Sequence, residues 1–81
     1  MTLIDAMISP AVRGVMLRAV SARRWRVLDP TGRILGHLRA DERRDGTRFH
    51  AERFDLARAR LRHLGAFWSA REAVECLRYL H

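Results

Sequence analysis

The chain has no lysine, a single cysteine and only two prolines among its 81 residues. Without lysine, all 16 basic residues are arginine. Each guanidinium stays charged, forks onto phosphates and carboxylates, and stacks on aromatic rings. The lone cysteine, Cys76, excludes an internal disulfide and fits a reducing, cytoplasmic setting. Long hydrophobic runs are also missing. The apolar opening MTLIDAMI lacks a basic leading segment and carries Asp5, and Pro10, Arg13 and Arg18 follow. Neither a signal peptide nor a membrane span is expected. There is no glycine-rich phosphate loop, internal repeat, low-complexity tract or catalytic motif, so neither enzymatic activity nor a cofactor is expected.

What is present is a small globular composition, 48% hydrophobic and 31% charged. A chain this short forms one domain with a modest core. Nine acids against the arginines leave a net charge of +7. That surplus favours anionic partners: nucleic acid, an acidic protein or a membrane surface.

Hydrophobic periodicity divides the chain near Ala22 and predicts an N-terminal helical segment over 1–22. Thr2 with Asp5 resembles a capping pair, and Ser9 followed by Pro10 reads as a second helix start. Val12, Val15, Met16, Ala19 and Val20 then recur at helical spacing. From Arg23 the period becomes two. Arg24–Leu28 reads as a strand, Asp29-Pro30-Thr31-Gly32 as a turn, and Arg33–Ala40 as a second strand. Asp41–Gly46 reads as a polar connection and Thr47–Phe54 as a third strand. Ser69 and Glu72 form a capping box for a final helix buried along Ala73, Val74, Leu77 and Leu80, with Arg71 and Glu75 outside. The fold expected is α+β: an N-terminal helix, an antiparallel sheet of three or four strands, and a C-terminal helix packed on one sheet face, with residues 23–81 as the sheet-plus-helix unit.

Residues 55–65 admit two readings. As a helix, Asp55 caps, Gly65 stops, and Ala57, Leu61 and Leu64 share a face, but Arg60 intrudes on that face. As a strand, Ala59 and Leu61 point inward and Arg58, Arg60 and Arg62 outward. Leu64 breaks that alternation unless a bulge near Gly65 absorbs it. The strand reading is preferred. It puts Trp25, Val27, Ile34, Leu38, Phe49, Ala51, Leu61 and Phe67 on the covered sheet face. Arg24, Arg26, Arg33, Arg39, Arg48, Arg58, Arg60 and Arg62 then share the other face with His37 and His50, and Glu52 is its only acid.

Leu64, Gly65, Phe67, Ser69, Glu72, Ala73 and Val74 form a strand closing in Leu-Gly-x-Phe, a short polar cap and an alanine-rich helix. This junction resembles the plant ethylene-response DNA-binding domain and the N-terminal arm-binding domains of phage integrases. The likeness covers about the last third of the chain plus a preceding hairpin. It implies a three-stranded sheet lying in the DNA major groove, with contacts from Arg24, Arg26, Arg33, Arg58, Arg60 and Arg62. Arg39 joins them by alternation. The chain departs from the pattern in its N-terminal segment, in a fourth strand and in Trp25, which falls on the covered face. Non-catalytic nucleic-acid binding is therefore the leading expectation.

The other side chains have blander readings. His37 and His50 are cross-strand candidates but lack the ligand set of a metal site, so no metal is expected. Cys76 beside the helix stripe reads as a small core residue. Trp68 reads as a staple or lid on the core, and only secondarily as a contact residue. Asp41, Glu42 and Asp45, mixed with arginines, read as solvated loop. The competing function is a protein-interaction or regulatory module, a homodimer or partner-docking helix using Val12, Val15, Met16 and Val20.

Overall fold

The computed structural model of the chain describes residues 10–79. They form five strands, β1 (Met16–Ser21), β2 (Arg24–Leu28), β3 (Ile34–Arg43), β4 (Gly46–Asp55) and β5 (Arg60–Phe67), followed by one helix, α1 (Ala70–Tyr79). The strands lie in chain order and each pairs antiparallel with the next.

The turns follow from local chemistry. Asp29 Oδ1 accepts the backbone N–H groups of Thr31 and Arg33, each at 2.9 Å, and the Thr31 hydroxyl at 2.7 Å. Gly32 supplies the left-handed backbone at φ 89°. Between β3 and β4 the chain reverses over Arg44 and Asp45 into Gly46, at φ 126°. The strands therefore run through Asp41, Glu42 and Arg43, residues that the sequence reads as a polar connection. The turn before β5 lacks glycine. Asp55 replaces it by accepting the N–H groups of Ala57 at 3.0 Å and Arg58 at 3.2 Å, while Ala59 takes φ 52°.

The expected N-terminal helix is absent from the described residues. Thr2, Asp5 and Ser9 lie outside them, but residues 10–15 are non-helical and Met16–Ser21 is a strand. Gly14 stands at φ 86°, which a right-handed helix cannot hold. The apparent stripe is broken up in space. Val12 and Val15 pack on the core, Met16 faces away, Ala19 pairs with Trp25, and Val20 is the extra residue at a register shift. β1 pairs with an edge of β2 that a helix would have left open. The boundary expected near Ala22 falls in the turn between these two strands.

Because strand side chains alternate, cross-strand partners share a face. Trp25, Leu38, Ala51 and Gly65 form one row beneath α1, and Ala40, Phe49 and Phe67 form another. Val27, Leu38, Val74 and Leu77 are fully buried, each worth about 1.5–3 kcal/mol relative to exposure. Besides the shift at Val20, two bulges reset the alternation. Val27 pairs with Gly36 but Leu28 with Ile34, leaving Leu35 unmatched. Ala51 pairs with Gly65 but Glu52 with His63, leaving Leu64 unmatched. Leu35 and Leu64 thereby pack on the core. Ile34 and Leu61, expected inside, stand half-exposed on the open face opposite Leu28 and Phe54.

At the N-terminus of α1 the Ser69 hydroxyl accepts the Glu72 N–H at 3.1 Å. The Glu72 carboxylate accepts the Ser69 hydroxyl proton at 3.2 Å, so the capping pair forms through side chains. Ala73, Val74, Cys76 and Leu77 are buried, and Arg71 reaches Glu75 at 3.6 Å outside. Leu80 lies outside the described residues.

At Gly36 the helix side chain Leu77 lies against bare strand backbone. A Cβ added there would lie 2.6 Å from both the Glu52 carbonyl oxygen and Leu77 Cδ2. The Gly36→Ala variant is expected to lose about 1–3 kcal/mol of stability, because the backbone oxygen cannot swing aside. A urea midpoint equal to that of the parent protein would refute this.

Candidate nucleic-acid interface

α1 covers one face of the sheet, and the opposite face carries the charge. One row crosses all five strands: Arg18, Arg26, His37, Glu52 and His63. A second row holds Ser21, Arg24, Arg39, His50 and Ala66. Asp41 pairs with Arg48 beyond it, and Arg43 with Gly46. At the other end of the face sit Met16, Leu28 and Ile34 in one row, with Phe54 and Leu61 in another.

Arg24 and Arg39 are directly opposed, an arrangement that repels unless an anion intervenes. Glu52 supplies it. Its Oε1 lies 3.0 Å from Arg24 Nη1 and its Oε2 3.2 Å from Arg39 Nε. Glu52 is only 7% exposed, although it stands on the uncovered face. Its burial is tolerable because two guanidiniums replace the lost water.

Arg18 and Arg26 form the next opposed pair, and no carboxylate among the described residues bridges them. Opposed arginines of this kind repel unless an anion lies between them. On the other flank, the Arg48 guanidinium lies 3.8 Å from the centre of the Trp68 ring. Trp68 is 57% exposed and is not part of the core, so it does not act as the lid expected from its place before the helix cap.

The histidines are arranged differently from the cross-strand pair expected. His37 opposes Arg26 and Glu52, whereas His50 Nδ1 lies 2.9 Å from His63 Nε2 in a shared hydrogen bond. His50 Nε2 lies 3.7 Å from Asp41 Oδ2. Burial, then the guanidiniums of Arg26 and Arg24, hold His37 below its ordinary value against the pull of Glu52. Burial, then Arg39 and His63, do the same to His50 against Asp41. Among the described residues no three His, Cys, Asp or Glu side chains are grouped to hold a metal ion. Cys76 is buried in the core.

Of the arginines predicted to make contacts, the fold brings Arg24, Arg26 and Arg39 together. Arg33 sits at the end of the turn before β3, at the margin of this face. The other three do not join them. Arg58 lies in the turn before β5, its Nη1 3.0 Å from Asp55 Oδ2. Arg60 opposes Asp55 and Arg62 opposes Arg53, whose guanidinium donates to the Leu77 carbonyl oxygen on the helix side at 2.6 Å. The bulge at Leu64 puts Arg60 and Arg62 on the helix-side face, past the covered region. Arg18 and Arg43, by contrast, were not among the sequence candidates, and Arg48 was placed on the face but not among the contacts. The alternation Leu17-Arg18-Ala19 was the signal for Arg18, masked by the helical spacing around it. Of the residues expected to dock a partner, Val12 and Val15 are occupied by the core, whereas Met16 and Val20 are exposed.

No protein-family model, curated protein or solved structure matches the chain. Among the described residues no helix is long and apolar enough to cross a membrane.

The histidines of the open face give stability a defined pH dependence. A histidine with a lowered value in the folded protein binds its proton more readily when unfolded. Its contribution is complete above the unfolded value, about 6.5, and is lost as pH falls from there through the folded value. Asp29, lowered chiefly by the Thr31 hydroxyl, and Asp55, lowered chiefly by Arg58, act only below about 3.8. The urea midpoint is expected to drop between about pH 7.5 and about pH 5.5. A His37→Asn, His50→Asn double variant should flatten that drop, and an equally steep profile in the variant would contradict the assignment.

Proposed function

We propose that the protein binds nucleic acid, without catalysis, through the open face of its sheet. The observation that carries this reading is the Arg18–Arg26 pair, opposed across β1 and β2 with no acid among the described residues to bridge it. Where the fold needs to quench such a pair for its own stability, it does so with Glu52. The unquenched pair is charge left free for a phosphate backbone. Arg24, Arg39 and Arg48 extend the positive surface from β2 to β4, with their charge partly offset by Glu52 on the first two and by Asp45, 3.8 Å from Arg48 Nη2. Arg33 adds to its margin.

A second reading, self-association through the exposed Met16 and Val20 on edge strand β1, has the support of that free edge alone. Light scattering decides it. A dimer dispersed by Met16→Asp would favour it over nucleic-acid binding.

Binding of random-sequence DNA or RNA is expected to weaken steeply with salt. Arg18→Gln and Arg26→Gln should each lower the slope of log affinity against log salt by about 1. Absence of binding at low salt, or slopes unmoved in both variants, would overturn the proposal.

A further inference from the structure

We propose that the open face takes unpaired nucleic acid in preference to duplex, with the exposed indole of Trp68 as a platform on which one base stacks. This rests on the nucleic-acid reading above and narrows its ligand.

The first argument is width. Five strands about 4.8 Å apart make a face about 19 Å across. The major groove of a DNA duplex is about 12 Å wide. The arginines occupy four strands, from Arg18 on β1 to Arg48 on β4, so a groove that admits part of the sheet excludes the rest. A single strand is not bound by that dimension. It can lie along the face and meet every arginine row with its phosphates.

The second argument is the state of Trp68. Indole carries a large apolar surface and is normally buried when a small core has room for it, as Trp25 is at 3% exposure. Trp68 is instead 57% exposed. It is held in place, however, because the Arg48 guanidinium stacks on its ring at 3.8 Å. Gly46 lies against the same ring; a Cβ there would sit at ordinary contact distance, 3.5 Å, from it. A guanidinium that orients an exposed ring, and also lies next to the row of Arg24 and Arg39 with the open Arg18–Arg26 pair one row further on, meets two requirements of a stacking site. The ring is positioned before the base arrives, and a positive charge sits next to the base's own backbone.

The third argument is a second aromatic on the same face. Phe54 is 47% exposed, six positions along β4 from Arg48, at the far end of the face. At about 3.4 Å per residue that is about 20 Å away. A cleft of about 350 Å³ beside it, at the end of the sheet, is lined by Phe54, Arg33 and His37 together with Gly36, Arg53 and Leu77 from the helix side. A strand crossing the arginine rows therefore meets an exposed ring at each end.

The experiment compares an unstructured dT oligonucleotide, a U oligonucleotide of equal length and a blunt DNA duplex, titrated into the full chain at one salt concentration. Intrinsic fluorescence and anisotropy are the readouts. Trp25 is buried, so the quenchable emission belongs to Trp68. Single strands are expected to bind at least about tenfold more tightly than duplex and to quench that emission; the dT and U arms report which sugar is preferred. Trp68→Ala should cost about tenfold in single-strand affinity with little effect on duplex, and Trp68→Phe should recover part of it. Trp68 lies outside the core, so the variants retain the fold, which an unchanged urea midpoint checks. Duplex bound as tightly as single strand, or Trp68→Ala within about twofold of the parent on single strands, would overturn this inference. If Arg18→Gln and Arg26→Gln still lowered the salt slope on duplex, the broader nucleic-acid reading would survive. No binding of any of the three would end both.

Discussion

The contact between Leu77 and the bare backbone of Gly36 sets the orientation of the whole sheet. Leu77 is fully buried, and a methyl group at position 36 would collide with it and with the carbonyl of Glu52. Helix and sheet can meet this closely only where the strand carries no side chain. Once α1 is seated there, Trp25, Val27, Leu38 and Ala51 must face it, and their neighbours must face water. The two bulges follow from the same demand. Leu35 and Leu64 reach the core only if the strand gains a residue at each point, and each gain exchanges the faces of the residues beyond it.

Among the described residues a ten-residue helix packs on one face of the five strands, and most of the charge lies on the other. The chain supplies that charge almost wholly with arginine, and antiparallel pairing then sets guanidiniums against each other. One such pair, Arg24 and Arg39, closes on Glu52, which becomes the most buried acid among the described residues because cations surround it. The pair next to it, Arg18 and Arg26, is left open. The contrast between the two separates charge neutralised within the fold from charge that no acid among the described residues neutralises. Trp68 shows the same contrast for aromatics: Trp25 is spent on the core, and Trp68 is held out from it by Arg48.

Several elements are legible in the sequence because their causes are local. The turn at Asp29 needs only its own side chain and Gly32, and the helix start at Ser69 only Glu72. The strands on either side of the Asp29 turn follow from alternation within a few residues. β1 is not legible in this way. Val12, Val15, Met16, Ala19 and Val20 fall at helical spacing although they serve different surroundings, and the edge of β2 that recruits Met16–Ser21 is visible only in three dimensions. Residues 60–67 are an intermediate case. Their strand and the bulge are both legible, but the effect of the bulge on Arg60 and Arg62 is not, because the extra residue matters only against the register of β4.

The sequence by itself determined the positive charge, the commitment to arginine, the C-terminal helix with its buried stripe, and the inner strands β2 to β4 with their alternation. These depend on composition and on contacts between near neighbours. Tertiary structure alone decided the fifth strand at the N-terminal edge, the faces of Ile34, Leu61, Arg60 and Arg62, the clamp on Glu52, the hydrogen bond between His50 and His63, and the exposure of Trp68. Each of these is a relation between strands, set by register. A register offset of one residue moves a side chain to the opposite face, and only packing against α1 chooses between the two.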